Sequence, residues 1–228
     1  NGTDMTAQQV LEDVLQFTGI GLDWRCTDWL VPAGAWSFTG TPLAAVRRVA
    51  DAIGAIVQSP RTGDSIIVAP RYPALPWAWA ATTPDVIVAA DAVTLESYER
   101  ADQPAYDGVY VSGRSQGVLS LVKRTGSAPA TLMTMVTDEL ITHLDAARQR
   151  GSSMLGSAGP GANVARTLPV LTGSGEPGVI DAGKLTRVDE GASSVKGLVR
   201  AVRELGAEAA TLEPVGSEDR EAGLRLFA

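Results

Sequence analysis

Cysteine is almost missing from this chain. Cys26 stands alone, so no internal disulfide can form and no cysteine-built zinc site exists. Histidine is equally scarce, and His143 is the only imidazole on offer as a metal ligand or general base. No run of 18 apolar residues occurs, so no stretch reads as a membrane-spanning helix. Basic charge is in deficit, with 19 Lys and Arg against 26 Asp and Glu and a formal net charge of −7. Such a chain gains little from counterion release, which disfavours direct, sequence-specific nucleic-acid binding. Arg47 and Arg48 are adjacent, but a solvated helix face accounts for them.

What is present suits a globular chain. At 228 residues and 45% hydrophobic content it can bury a real core as one large domain or two small ones. The opening Asn1-Gly2-Thr3 lacks a methionine, the pattern of a processed product or a piece of a longer chain, and its match to a glycosylation sequon is ascribed to chance.

Residues 35–79 organise the rest. Trp36-Ser37-Phe38-Thr39 alternates apolar and polar side chains and predicts a strand. Thr41 can cap a helix that starts at Pro42. Leu43, Val46, Val49, Ala50 and Ile53 then fall on one face, with Arg47, Arg48 and Asp51 on the solvent side. Gly54 ends the helix, 55–58 and 65–69 read as strands, and Thr62-Gly63-Asp64 is the turn between them. The pattern predicts a small two-layer βαββ module.

Before it, Thr6 and Gln9 form a capping box, and Val10, Val14, Leu15 and Phe17 give helical spacing up to Gly19. Residues 20–24 and 28–31 are short apolar stretches. Trp24, Trp29 and Trp36 lie close together, which could make a sugar-stacking platform, although their apolar setting favours a core role. Pro70, Pro73 and Pro76 stiffen a strap ending at Trp77 and Trp79, and the domain boundary is expected near residue 80.

Beyond it the pattern turns to β. Strands are expected over 85–89, 93–98, 108–112, 118–123, 163–170, 185–188, 195–202 and 208–212, with 131–136 a strand or the lead into a helix. Residues 137–150 predict a helix, with Asp138 and Glu139 in its first turn, Arg148 and Arg150 in its last, and Gly151 after it. His143 would then pair with Glu139 one turn earlier. Residues 151–163 read as a long mobile loop that orders against a neighbour, and the tail after Pro214 as frayed.

Three motifs imitate chemistry. Gly113-Arg114-Ser115-Gln116-Gly117 matches G-x-S-x-G, but strands flank it on both sides, whereas a nucleophile elbow needs a strand and then a helix. Gly178 to Leu185 resembles a phosphate loop, yet Leu185 stands where a magnesium-binding Ser or Thr is required. Gly156, Gly159 and Gly161 are spaced wrongly for a dinucleotide fingerprint. No catalytic, cofactor-binding or metal-binding residues are assigned, and an enzyme is not expected.

Several stretches together resemble a known family. Thr41-Pro42-Leu43, Gly54-Ala55-Ile56-Val57 and Ile67-Val68-Ala69-Pro70-Arg71-Tyr72-Pro73 come first. Tyr106-Asp107-Gly108-Val109-Tyr110-Val111-Ser112-Gly113 follows, then Gly117-Val118 onward to Arg124. Ala146-Ala147-Arg148-Gln149-Arg150-Gly151 and Leu168-Pro169-Val170, Gly183 and Leu185 complete the series. Their order is similar to the tail-hub and baseplate-hub proteins of tailed phages and prophages. The resemblance implies an α+β, β-rich fold: residues 1–80 as a helix plus the βαββ module, and 81–228 as a mainly antiparallel, barrel-like domain with one helix. It also implies a structural ring, trimeric by analogy, that joins tail tube to tip or spike in the virion after assembly in the host cytoplasm. Its partners would be other tail proteins, with no cofactor. The module alone is also similar to the ring-building domains of secretins, and a carbohydrate-binding module is the remaining alternative.

Overall fold

The computed structural model describes residues 1–115, 117–125, 130–170, 178–190, 193–203 and 224–227. Its class is α+β and rich in strands, as the sequence predicts. Two compact units share the chain: Asn1–Pro73 with Ala105–Ala158, and Ala74–Pro104 with Gly159–Ala228. The first crossing, after Pro73, falls in the proline-rich strap. The crossings after Pro104 and Ala158 have no counterpart in the sequence reading.

The first unit opens with β1 (Met5–Thr6), α1 (Ala7–Leu15), β2 (Gly21–Trp24) and β3 (Leu30–Val31). Thr6 and Gln9 make the expected capping box. Helix α2 (Pro42–Ala52) follows, capped by Thr41, and Gly54 at φ +65° turns the chain into β4 (Ala55–Gln58) and β5 (Ser65–Pro70). Val46, Val49, Ala50 and Ile53 are buried as predicted, while Leu43 is exposed. Burying each of the large ones contributes roughly 1.5–3 kcal/mol.

The strand expected over 36–39 does not form. Trp36 and Phe38, two residues apart and hence on one side of an extended segment, stack with centroids 5.6 Å apart and planes 5° from parallel. The N-terminal ammonium of Asn1 donates to the Trp36 carbonyl at 2.8 Å, which spends the backbone outside any ladder. The first strand of the βαββ module is β2 instead, parallel to β5, and β4 pairs antiparallel on β5's other side.

The same unit contains a second sheet of β8 (Gly108–Gly113), β9 (Leu119–Lys123) and β10 (Leu132–Asp138), with β8 central. Helix α3 (Leu144–Gly156) covers one face, and its buried stripe is mostly small: Ala146, Ala147, Gly151 and Leu155. A Cβ on Gly151 would lie 2.5 Å from a Val122 methyl, so glycine permits close helix–sheet packing there rather than ending the helix. Two expectations change accordingly. The helix is not over 137–150, because Thr137 and Asp138 finish β10 beside Ser112 and Gly113. Nor is 151–163 a loop: it holds the end of α3, a short turn, and the start of β11 (Pro160–Thr167), all hydrogen-bonded within the chain. The neighbour-ordering role expected of it falls with it.

The second unit is built on β6 (Val86–Ala89), β7 (Leu95–Asp102), β11, β12 (Leu185–Glu190), β13 (Ser193–Ala201) and β14 (Leu224–Phe227). Their order is β6-β12-β13-β14-β11-β7. Only β6 and β12 run parallel. The sheet is not barrel-like: β7 pairs only with β11 and β6 only with β12, so two separate edges remain among the described residues. Part of the expected frayed tail is the strand β14, seated between β13 and β11. The strand expected over 208–212 lies outside the described residues. The core holds Val88, Ala162, Val164, Ile180, Val188 and Val199.

The strap is fastened by one charge. A short 3-10 turn at Pro76–Ala78 leaves carbonyls without helical partners. Lys196 Nζ donates to the carbonyls of Trp79 at 3.0 Å, Ala80 at 3.1 Å and Thr82 at 2.9 Å, so all three ammonium protons are used. Lys196→Met is expected to lower unfolding free energy by about 2 kcal/mol in a denaturant titration. A loss under about 0.5 kcal/mol, the range of an ordinary surface change, would mean that the ammonium does not fasten the strap.

Candidate functional site

The hydrolase-like pattern is a hairpin turn. Gly113 N donates to the Val118 carbonyl at 2.8 Å, and Ser115 is exposed in the turn. A Cβ on Gly113 would lie 2.1 Å from the Ile141 carbonyl oxygen, and Gly117 sits at φ +65°, so packing and turn geometry account for both glycines. His143 caps α3, where its Nδ1 accepts from Asp145 N at 3.3 Å and lies 3.4 Å from Asp145 Oδ2. It does not pair with Glu139, which lies ahead of the helix. The phosphate-loop imitation is a turn into β12, with Gly183 at φ +87° and Leu185 buried. No group of three His, Cys, Asp or Glu among the described residues could hold a metal ion.

Asp138 and Glu139 do not serve a helix start. Arg48 reaches Asp138 with both terminal nitrogens, at 3.1 and 2.9 Å, and Glu139 at 3.3 Å. Asp138 Oδ1 also accepts from Leu140 N at 2.8 Å. Burial works against the Arg48 charge, and the two carboxylates more than offset it, so its pKa rises. Arg48, expected in solvent, therefore clamps α2 to the end of β10.

The tryptophans do not make a sugar platform. Trp29 is buried with its Nε1 donating to the Leu140 carbonyl at 2.8 Å, and Trp24 packs against it with planes 44° apart. Cys26 is half-buried, and burial pushes its thiol up to about 11 against a weaker pull from Gln149.

What remains is surface. The outer face of the β8–β10 sheet carries exposed Leu119, Leu121, Leu132 and Met135. At the corner after α1, Phe17 is 91% exposed. Strand β7 is the longest edge strand among the described residues: its side chains from Leu95 to Arg100 are exposed on both faces, with Leu95 and Tyr98 each at 66%. Gln103 N donates to the Gly159 carbonyl, so alternate N–H groups up to residue 101 face β11 and those of Tyr98 and Arg100 point outward. The signal for this edge was in the sequence: Glu96, Glu99 and Arg100 leave no wholly apolar face on an eight-residue strand.

No family model matches the chain, and no curated protein matches its sequence. Solved structures do match. The 43 kDa tail protein of prophage MuSo2 from Shewanella oneidensis aligns with a TM-score of 0.54 at 14% identity, over 87% of this chain and 60% of that one. The chain has the fold of phage tail proteins. The tail protein from Neisseria meningitidis MC58 aligns over 100% of this chain and 68% of its own length, with a TM-score of 0.57 at 12% identity. At those identities the likeness concerns fold, and this chain spans only part of each tail protein.

Asp138→Ala is expected to cost about 1–3 kcal/mol of unfolding free energy, since it strips a bidentate partner from Arg48. Glu139→Ala, at a more exposed position, is expected to cost about 0.5 kcal/mol or less. Equal losses would show that Asp138 is not the anchor of the clamp. Cys26 is expected to alkylate slowly at pH 8 in the folded protein and readily once unfolded, because its proton is held to about pH 11. Equal rates in the two states would contradict the buried thiol.

Proposed function

We propose that the chain is a structural, non-enzymatic component of a phage tail, a hub-like part that closes into a ring joining tail tube to tip or spike. The observation that carries this reading is the β7 edge, in a chain with the fold of tail proteins. A monomer usually shields such an edge, because its outward N–H and C=O groups template pairing with another strand. In a ring the same groups are an interface; Arg166, buried in the same sheet, holds Glu96 within the chain, and the exposed Glu99 would favour a basic side chain opposite it on the neighbour. Ring closure needs unlike patches of successive copies to meet, with a trimer as the expected closure and other tail proteins as axial partners. The net charge of −7 suits a passage that does not hold DNA.

The test is Tyr98→Pro, which removes an outward N–H while leaving the bonds to β11. Wild-type protein is expected to form rings visible by electron microscopy and in sedimentation, and the variant to remain folded and monomeric. Rings that persist in a folded variant would exclude β7 as the interface. A wild-type chain that never self-associates, alone or with tail fractions, would sink the ring.

A further inference from the structure

The corner after α1 is apolar and acidic. Phe17 projects into solvent, and beside it lies a shallow depression of about 310 Å³ whose lining includes Leu15, Ile20, Leu22 and Glu12. Single exposed apolar residues are ordinary, but a 91% exposed phenylalanine beside a lined depression is an unpartnered patch. Its charges are all of one sign. Between Gly2 and Trp24 there is no Lys or Arg. Glu12 Oε1 accepts from Gln8 at 2.8 Å and Asp13 Oδ1 from Gln16 at 3.0 Å, so both carboxylates are held by neutral amides and remain exposed.

The opposite pattern stands on α2. Leu43 is 41% exposed, and Arg47 follows one turn later on the same solvent-facing stripe. Unlike its neighbour Arg48, Arg47 has no hydrogen-bonding or ion-pair partner among the described residues. An apolar side chain and a cation about 5–6 Å apart thus share one solvent-facing helix stripe, and the cation has no ion-pair partner among the described residues. The α1 corner offers the converse, an apolar depression whose lining carries Glu12.

We infer that these two patches are the halves of one contact between successive copies of this chain: Leu43 enters the depression beside Phe17 and Ile20, and Arg47 meets Glu12 and Asp13. The occupant is a second copy because the chain itself supplies a surface of matching charge and apolar content. The patches differ, so the contact is heterologous and propagates around a ring. This rests on the ring reading above and adds a second contact to the β7 edge. Phe17 and Leu43 provide the desolvated anchor, and the charges set orientation and rate of encounter.

The test is cross-linking of the full chain with a short, flexible bismaleimide in a Cys26→Ala background. Gln16→Cys combined with Asp51→Cys, which places one thiol beside each patch and leaves Phe17 and Leu43 in place, is expected to give a ladder of covalent species with three or more copies. Each single-cysteine variant should give none beyond a trace of dimer. Adding Arg47→Glu should cut the ladder yield at least tenfold, and Glu12→Arg with Asp13→Arg in the same chain should restore it. All five surface positions are exposed, and circular dichroism verifies that the variants fold. Oligomers seen in sedimentation without a ladder would overturn this contact and leave the ring reading standing. No oligomer and no ladder would overturn both.

Discussion

The first unit depends on one buried hydrogen bond, from the Trp29 indole to the Leu140 carbonyl. The two residues are 111 positions apart and both are buried. Around this bond run further links between the N-terminal module and residues 105–158. Arg48 holds Asp138, Thr27 N donates to Gln149 Oε1 at 2.9 Å, Ser153 Oγ donates to the Gly54 carbonyl at 2.7 Å, and Arg150 donates to the Asp51 carbonyl. The carbonyls of Asp51 and Gly54, at and just past the end of α2, thereby gain side-chain donors from α3. Leu140 and Ile141 add buried apolar area at the joint. The polar bonds fix how the two halves of the unit register, and the apolar contacts supply most of the driving force.

Local chemistry was legible wherever it decided the structure. The Thr6 capping box, the Thr41-Pro42 helix start, Gly54 and the 62–64 turn all depend on residues within a few positions, and each appears as read. Errors came where distant partners override local pattern. Residues 36–39 alternate like a strand, but no strand reaches them, and their rings satisfy one another. Asp138 and Glu139 look like a helix start until Arg48, ninety residues earlier, is brought alongside. Gly151 looks like a stop until Val122 packs where its side chain would be. Propensity is a weak guide against such tertiary demands.

The candidate surfaces were less legible for a related reason. Burial depends on what the rest of the chain covers, and periodicity cannot show that Phe17 falls beyond the end of α1 or that β11 is β7's one strand neighbour among the described residues. The hydrolase-like pattern reads as a turn because strands flank it on both sides in the sequence, and the phosphate-loop pattern because Leu185 stands where Ser or Thr is required. Motifs of glycine and serine mark turns far more often than chemistry, and here Ile141 and the turn geometry account for them.

The placement of β14 bears on how the protein is made. Leu224–Phe227 lies inside the six-stranded sheet, bonded to β11 on one side and β13 on the other. Until the ribosome has added residue 227, that sheet exists as two incomplete halves, each with a raw edge where β14 belongs. The first unit is drawn from residues up to 158 and can fold while its successor is still being synthesised. The second must wait for β14 to reach β11, a pairing that joins Phe227 to Asn163 across all the intervening chain, the kind of long-range closure that slows folding. Chains that meet before that moment offer one another open strands, so the last-made strand of the sheet also closes a route to mispairing.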